Sequence, residues 1–170
     1  MNGLMDKLRS LLYPRAIVPD IFLIDIKGLR EQGIKGLILD IDDTLIPREV
    51  RDVYPNVFEW VQARKDEGLK LCLTSNSRHP LRVKYFSETL GVPALHFSLK
   101  PLPIAFRRSL EILGTSADET AMIGDQLFMD ILGANLAGIY SIYIDHRKEE
   151  TFPPRQWMRW AERYLIDHWR

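Results

Sequence analysis

Two carboxylates stand two positions apart at the end of a short apolar run. Residues 37–39 are apolar, and Asp40, Asp42 and Asp43 follow them. Such a run predicts a buried strand of a parallel sheet, and ligands of these sheets bind beyond the carboxyl ends of the strands. Like charges so close are costly without a cation, and Mg²⁺ prefers oxygen ligands of this kind. The stretch therefore predicts a magnesium site, although an acidic turn after a strand is an alternative that it leaves open.

Three further predicted strands also end in polar side chains. They are Ser75 after residues 69–73, Lys100 after residues 94–97, and Asp125 with Asp130 after residues 120–123. Because the carboxyl ends of parallel strands meet at one rim, we expect all of these side chains to lie together. Carboxylates, a hydroxyl and a lysine on successive strand ends are hard to explain as turns, so the set predicts a chemical site.

The elements that must position these residues alternate along the chain. Helical patterns at residues 57–68, 80–90, 103–113 and 127–137 separate the predicted strands, and residues 140–144 form a fifth strand. Strands alternating with helices at this spacing are typical of βαβ units. The sequence therefore predicts an α/β fold with a parallel five-stranded sheet and helices on both faces.

Composition and charge narrow the class of protein. The 170 residues include 46% hydrophobic and 27% charged side chains, which is ordinary for one globular domain. Its 23 basic and 23 acidic residues cancel, so no nucleic-acid partner is expected. The single cysteine, Cys72, excludes an internal disulfide and a Cys-based zinc site. Without a membrane-spanning run or a signal peptide, a cytoplasmic location is expected.

We expect one domain over residues 1–170, with an N-terminal extension (1–35), a catalytic core (36–150) and a C-terminal amphipathic helix (151–170). Both terminal segments have an apolar helical face. These faces comprise Leu4, Leu8, Leu11 and Leu12 in the first segment and Trp157, Trp160, Ala161, Tyr164, Leu165 and His168 in the second, while Arg155, Arg159 and Arg163 lie off the second face. Each segment either packs on the core or lies on an anionic membrane, and the pattern leaves both open.

Four short motifs resemble those of haloacid-dehalogenase-like (HAD) phosphatases. Residues 40–44 match the D-x-D-x-[T/V] motif, Ser75 and Lys100 match motifs II and III, and residues 124–130 match the acidic G-D-x-x-x-x-D motif. Gly33 and Gly36 before the first motif, Asn76 after Ser75, and the flanks of Lys100 are similar to the YqeG family of HAD class IIIA. Relatives of that family include phosphatidylglycerophosphate phosphatases. Ser75 stands where this class often has threonine, a minor departure.

The resemblance implies a Rossmann-like HAD fold and a role for each matching residue. Asp40 is the expected nucleophile, which forms an aspartyl-phosphate, and Asp42 is the expected general acid and base. The remaining implied roles are Mg²⁺ binding by Asp40, Asp125 and the backbone carbonyl of Asp42, phosphate binding by Thr44, Ser75, Asn76 and Lys100, and support of the metal or of Lys100 by Asp130.

The implied activity is hydrolysis of a phosphomonoester, and several substrates remain open. Phosphatidylglycerophosphate, which would give phosphatidylglycerol, is one candidate, and a soluble phosphometabolite or a phosphoprotein is the other. The gaps from Asp40 to Ser75 and from Ser75 to Lys100 hold no cap domain, so an open site and a bulky substrate are expected. A receiver-like phospho-switch is a weaker alternative, because its acceptor aspartate belongs on the third strand, which here ends in Lys100. The oligomeric state is left open.

Overall fold

The computed structural model describes residues 2–150 and 153–169. Within them, six parallel strands form one sheet in the order β1-β6-β5-β2-β3-β4. The strands are β1 (Ala16–Val18), β2 (Gly36–Leu39), β3 (Lys70–Thr74), β4 (Ala94–Leu95), β5 (Thr120–Gly124) and β6 (Tyr140–Ile144).

The predicted number of five strands is wrong, because β1 adds a sixth. This strand lies in the segment expected to precede the core, and Ile17 pairs with Tyr143 of β6 at the edge of the sheet. Only three residues long, β1 is enclosed by Pro14 and Pro19, which read in the sequence as breakers of structure. Proline is tolerated beside an edge strand, since the missing N–H faces no partner there. The segment that precedes the predicted core thus contributes a strand to the sheet.

Helices cover both faces of the sheet, as predicted. They are α1 (Asn2–Leu12), α2 (Ile26–Glu31), α3 (Pro55–Asp66), α4 (Pro80–Leu90), α5 (Pro103–Leu113), α6 (Leu132–Leu136) and α7 (Pro153–Trp169), with a 3₁₀ helix at Ile21–Leu23 and a π-helix at Leu127–Ile131. Proline opens α3, α4 and α5, where its fixed φ suits the first turn. Among the described residues, no helix has the length and apolar character needed to cross a bilayer.

The central strand β2 is buried on both faces of the sheet. Its side chains alternate, so that Leu37 and Leu39 join the core under α3 and α4, while Ile38 meets Phe106 and Met122 under α5. A strand covered on both faces reads as a continuous apolar run, which is why residues 37–39 signalled it in the sequence.

Strand register places the polar residues at one edge of the sheet. Leu39 of β2 pairs with Leu73 of β3 and with Ile123 of β5, so that the residues following all three strands come side by side. The backbone N–H of Asp40 continues the ladder by donating to the carbonyl of Ile123 at 3.0 Å. Between β2 and β4 the described chain forms only loops, α3, β3 and α4, so no cap domain covers this edge.

The terminal helices pack on the domain in part. In α1 the side chain of Leu4 lies outside what the structure describes, Leu8 is exposed, and Leu11 and Leu12 are half-buried. The aromatic face predicted for the last helix points outward in α7, where Trp157 is 67% exposed and the rings of Trp160, Tyr164 and His168 stack in sequence. The opposite face of α7 is the one that packs on the core.

Candidate active site

Lys100 lies at the centre of the candidate site. Its buried ammonium contacts Asp40 Oδ1 at 2.6 Å, Asp130 Oδ1 at 2.7 Å and the carbonyl of Thr74 at 2.8 Å. Two of its three donors form hydrogen bonds, to Asp40 and to the Thr74 carbonyl, and Asp130 completes the set as an ion pair. Burial alone would lower the pKa of Lys100, but the two carboxylates outweigh it and raise that pKa above its ordinary value. Lys100 is therefore a fixed positive charge against the predicted nucleophile.

Three buried carboxylates form a cluster here, and two of them, Asp40 and Asp130, contact this lysine. Asp40, Asp125 and Asp130 each offer one oxygen, and these oxygens all lie within 4.8 Å of one another. Burial raises the pKa of Asp40 well above its usual range and raises that of Asp130, and the neighbouring carboxylates add to both effects. Asp125 Oδ1 is buried without a hydrogen-bond partner. A buried, unpartnered carboxylate oxygen within an acidic cluster is the donor set that suits a hard divalent cation.

Asp125 is held from outside the cluster by two residues that the sequence analysis did not select. Arg159 of α7 forms an ion pair with Asp125 Oδ2, and His146 Nε2 lies 3.6 Å from the same oxygen. Burial alone would raise the pKa of Asp125, but His146 and Arg159 outweigh burial and hold that pKa below its ordinary value. The signal for Arg159 was present in the helical period of residues 155–166, on the face opposite the aromatic side chains.

The loop after β2 turns the second aspartate away from the cluster. Asp42 Oδ1 accepts hydrogen bonds from Arg82 Nη2 at 2.8 Å and Nε at 3.3 Å, and the Asp42 side chain is 20% exposed at the rim. Asp43 takes a positive φ of 62° and donates to the carbonyl of Ile46 at 2.8 Å, which closes the loop. The hydroxyl of Thr44 lies 3.4 Å from Asp40 Oδ2.

Asn76 braces the loop that carries Lys100. Its Oδ1 accepts bonds from the Lys100 backbone N–H at 2.8 Å and the Ser98 hydroxyl at 2.9 Å, and its Nδ2 donates to the Lys100 carbonyl at 2.9 Å. Ser75 Oγ accepts a bond from the backbone N–H of Ser77 at 3.0 Å, which leaves its own O–H as a donor. The amide of Asn76 is thus engaged with backbone, so its predicted contact with phosphate stays a prediction.

Gly124 leaves room for Asp130 against the strand. A Cβ at this glycine would lie 2.3 Å from Asp130 Cγ and 2.5 Å from Asp130 Cβ. The carboxylate also accepts a bond from the backbone N–H of Gln126 at 3.1 Å, so it cannot move aside freely. The glycine of the G-D-x-x-x-x-D motif has a packing reason in this fold, because it lets a buried carboxylate reach Lys100.

The predicted site residues fall into an inner and an outer group. Asp40, Lys100, Asp125 and Asp130 form the buried inner group, with Thr44 beside Asp40. The outer group consists of Asp42, Ser75 and Asn76, which lie in the loops that follow β2 and β3. This arrangement can hold a cation between carboxylates and present one carboxylate, opposite a lysine, to an anionic group.

Comparison with known proteins identifies the family. Residues 3–147 match the model of a family described as mitochondrial PGP phosphatase. The chain is 35% identical over 137 residues to the probable phosphatase YqeG of Bacillus subtilis, a match that covers 81% of this chain and 79% of the relative.

Two more relatives carry the name of a lipid phosphatase. The mitochondrial phosphatidylglycerophosphatase GEP4 of Saccharomyces cerevisiae is 28% identical over 161 residues, covering 85% of this chain and 86% of the relative. Phosphatidylglycerophosphate phosphatase 1, chloroplastic/mitochondrial, of Arabidopsis thaliana is 26% identical over 171 residues, which is 95% of this chain. This chain spans 49% of the Arabidopsis protein, about half of its length.

Solved structures agree in fold. An uncharacterized protein from Listeria monocytogenes serotype 4b superimposes with a TM-score of 0.57 at 22% identity, covering 71% of this chain and 85% of that one. The 3-deoxy-D-manno-octulosonate 8-phosphate phosphatase of Yersinia pestis gives a TM-score of 0.54 at 16% identity, covering 85% of each chain. At this identity the likeness concerns the fold alone. Together with the family match, it identifies the chain as a phosphatase of the HAD fold that belongs to the PGP phosphatase family with YqeG.

Proposed function

We propose that the chain is a Mg²⁺-dependent phosphomonoester hydrolase that works through an aspartyl-phosphate on Asp40. The observation that carries this proposal is the contact between the buried Asp40 carboxylate and Lys100 at 2.6 Å, within the acidic cluster. In the first step an Asp40 oxygen bonds to phosphorus as the ester bond breaks. In the second step water attacks phosphorus, and the bond to Asp40 breaks to release phosphate.

The cation site consists of Asp40, Asp125 and the backbone carbonyl of Asp42, with Asp130 beside them. Bound Mg²⁺ supplies positive charge that lets a carboxylate meet an anionic phosphate. Lys100 adds a second fixed charge, which stabilises the negative charge that gathers on the phosphoryl oxygens. Ser75 and Thr44 donate hydrogen bonds to those oxygens.

Proton transfer falls to Asp42. Its carboxylic acid protonates the leaving alcohol oxygen, and the resulting carboxylate then accepts a proton from the attacking water. The two hydrogen bonds from Arg82 fix this carboxylate at the rim, where leaving group and water exchange. Asp130 acts through its contact with Lys100, and Asn76 through the backbone of the same loop.

The proposed substrate is phosphatidylglycerophosphate, which would be converted to phosphatidylglycerol. The family description and the names of two relatives support this substrate, as does the absence of a cap between β2 and β4. Lys100 is flanked by exposed apolar side chains at Leu99 (42%) and Leu102 (53%), and Arg159 by exposed Trp157 and Trp160. Exposed apolar side chains of this kind suit a protein that meets its substrate at the surface of an anionic bilayer.

These features support a protein that contacts the membrane peripherally, and its cytoplasmic location stays a prediction. The alternative is a phosphatase of a soluble phosphometabolite or phosphoprotein, in which the exposed apolar side chains have no role in lipid binding. A receiver-like phospho-switch without turnover is the third outcome that the experiments below separate.

Two measurements test the proposal. The first compares kcat/KM on phosphatidylglycerophosphate in anionic vesicles with kcat/KM on soluble phosphomonoesters, in the wild type and in Asp40→Asn. We expect preference for the lipid, and loss of turnover in folded Asp40→Asn and in excess EDTA. Faster hydrolysis of a soluble ester would reject the lipid substrate, and full activity without Asp40 or metal would reject the mechanism.

The second measurement is vesicle sedimentation of a Trp157→Ala/Trp160→Ala variant. Its matched control is Ile112→Ala, an exposed apolar residue of α5 at the opposite end of that helix from Lys100. The double tryptophan variant should bind anionic vesicles more weakly than the control while hydrolysing a small phosphate ester normally. Equal binding of both variants would contradict a role of these two tryptophans in membrane contact.

A further inference from the structure

The inward face of α7 reaches the catalytic edge of the sheet. Arg155, Arg159, Glu162 and Ile166 recur at helical spacing, so they share one side of the helix. Ile166 anchors that side in an apolar cluster with Leu127 of the π-helix. The apolar contact fixes the rotation of α7 about its axis, and this rotation directs the polar residues nearer its N-terminus toward the catalytic loops.

Arg159 holds both the side chain and the backbone of Asp125. Its guanidinium is buried, forms an ion pair with Asp125 Oδ2 through Nη2, and donates to the Asp125 carbonyl through Nη1. Contact with both groups restricts the rotation of the Asp125 side chain, because the fork of an arginine is planar and rigid. Asp125 Oδ1 remains buried without a hydrogen-bond partner.

We propose that Arg159 is a positioning residue for the cation site: by holding Asp125 Oδ2, it keeps Oδ1 free and aimed for the metal. The inference rests on the proposed function, in which Asp125 is a metal ligand. Ligands that are hydrogen-bonded in this way bind metal more tightly, because less orientation is lost on binding. None of the four HAD motifs that residues 40–130 match includes this position in α7.

The alternative to positioning is competition, in which the guanidinium of Arg159 occupies the place of the cation and excludes it. Two contacts favour positioning over competition. Arg159 bonds Asp125 Oδ2 and leaves Oδ1 without a hydrogen-bond partner. In addition, Glu162 Oε2 lies 3.5 Å from Arg159 Nη1, so the guanidinium is shared with a second carboxyl group. The two roles predict opposite changes in metal affinity when Arg159 is removed.

The test is the dissociation constant of Mg²⁺, measured by titration calorimetry on the metal-free protein without substrate. Arg159→Met keeps an unbranched apolar stem and removes the guanidinium fork, and we expect it to weaken Mg²⁺ binding about 10- to 100-fold. The matched control is Arg155→Met, on the same face one turn earlier, whose guanidinium lies 4.0 Å from Asp43 and 3.7 Å from Glu150 instead. The control should bind Mg²⁺ as the wild type does.

A kinetic readout separates positioning from general damage. If Arg159 only orients a ligand, the Arg159→Met variant should need more Mg²⁺ for half-maximal activity and recover most of its kcat at saturating Mg²⁺. Circular dichroism and thermal unfolding in EDTA establish that the variant is folded. Should Arg159→Met not fold, Arg159→Lys carries the same comparison, because an ammonium lacks the planar fork that fixes the carboxylate and the carbonyl of Asp125 in one geometry.

Asp125→Asn, titrated in the same way, distinguishes the two possible failures. If this variant binds Mg²⁺ as the wild type does, Asp125 is not a ligand and the proposed cation site itself is wrong. If Asp125→Asn loses Mg²⁺ binding while Arg159→Met keeps or tightens it, the positioning role of Arg159 is wrong and the proposed function stands.

Discussion

Replacing Gly124 by alanine should damage the catalytic edge although the change adds only one carbon. The new Cβ would lie 2.3 Å from Asp130 Cγ and from Asp130 Oδ2, and 2.5 Å from Asp130 Cβ. Because Asp130 Cβ is fixed to the backbone, a side-chain rotation cannot relieve every contact. Either the strand shifts or Asp130 leaves its place beside Lys100.

The size of the effect follows from what Asp130 holds. It is fully buried, lies 2.7 Å from Lys100 Nζ, and accepts a bond from the Gln126 backbone N–H. Overpacking a core position costs about 1–3 kcal/mol, and breaking a buried ion pair about 3–5 kcal/mol. We therefore expect Gly124→Ala to lower the free energy of unfolding by about 3–5 kcal/mol. Activity should fall as well, since Lys100 loses one of its two carboxylate partners.

Guanidinium denaturation and kcat on a small phosphate ester measure the two effects. The matched control is Gly3→Ala in α1, where an added Cβ meets nothing within 4 Å. This control should be neutral or more stable by about 0.5–1 kcal/mol, because alanine favours a helix over glycine. Normal stability and normal kcat in Gly124→Ala would refute the packing argument.

Three further predictions concern single side chains. Asp42→Asn should slow turnover roughly 10²–10⁴-fold in steady-state assays, since both steps need proton transfer; near-normal kcat would remove Asp42 from that role. Lys100→Ala should lower kcat by roughly 10²–10³-fold and destabilise the fold in urea titration, because two buried carboxylates lose their counter-charge; unchanged kcat would contradict the charge role. Burial raises the pKa of Glu162 to about 7 despite Arg159. Folding therefore favours its protonated form, and the unfolding free energy in EDTA should fall by up to about 3 kcal/mol from pH 4.5 to above 7, relative to Glu162→Gln; parallel pH profiles of both proteins would exclude this effect.

Local signals explain why much of the fold could be predicted from the sequence. The helices α4 and α5 begin at Pro80 and Pro103 and end before Gly91 and Gly114, as predicted. Proline fixes φ at the first turn, and both glycines adopt a positive φ that other residues rarely take, so neither boundary depends on distant contacts. The short strand β1 was missed because its signal is three apolar residues between prolines, and its partner β6 is far away in the sequence.

The inner site follows the same logic. Strand ends in a parallel sheet share an edge, so Asp40, Lys100 and Asp125 are brought together by topology once the strands are recognised. Asn76 behaves differently, because its amide is engaged by the backbone of the Lys100 loop. Side-chain direction at a loop depends on which backbone groups lack a partner there, and the sequence does not carry this information.

The orientation of α7 was the least predictable feature, because both sides of the helix have a helical period. An apolar count favours burying Trp157 and Trp160, yet the structure buries Arg159 and Glu162 instead. A buried carboxylate such as Asp125 needs a counter-charge, and leaving it unpaired costs more than exposing two indole rings. The choice leaves the aromatic side chains on the outward face of α7 and a guanidinium against the candidate metal ligand. The same helix can therefore serve the cation site on one side and meet a substrate-bearing surface on the other.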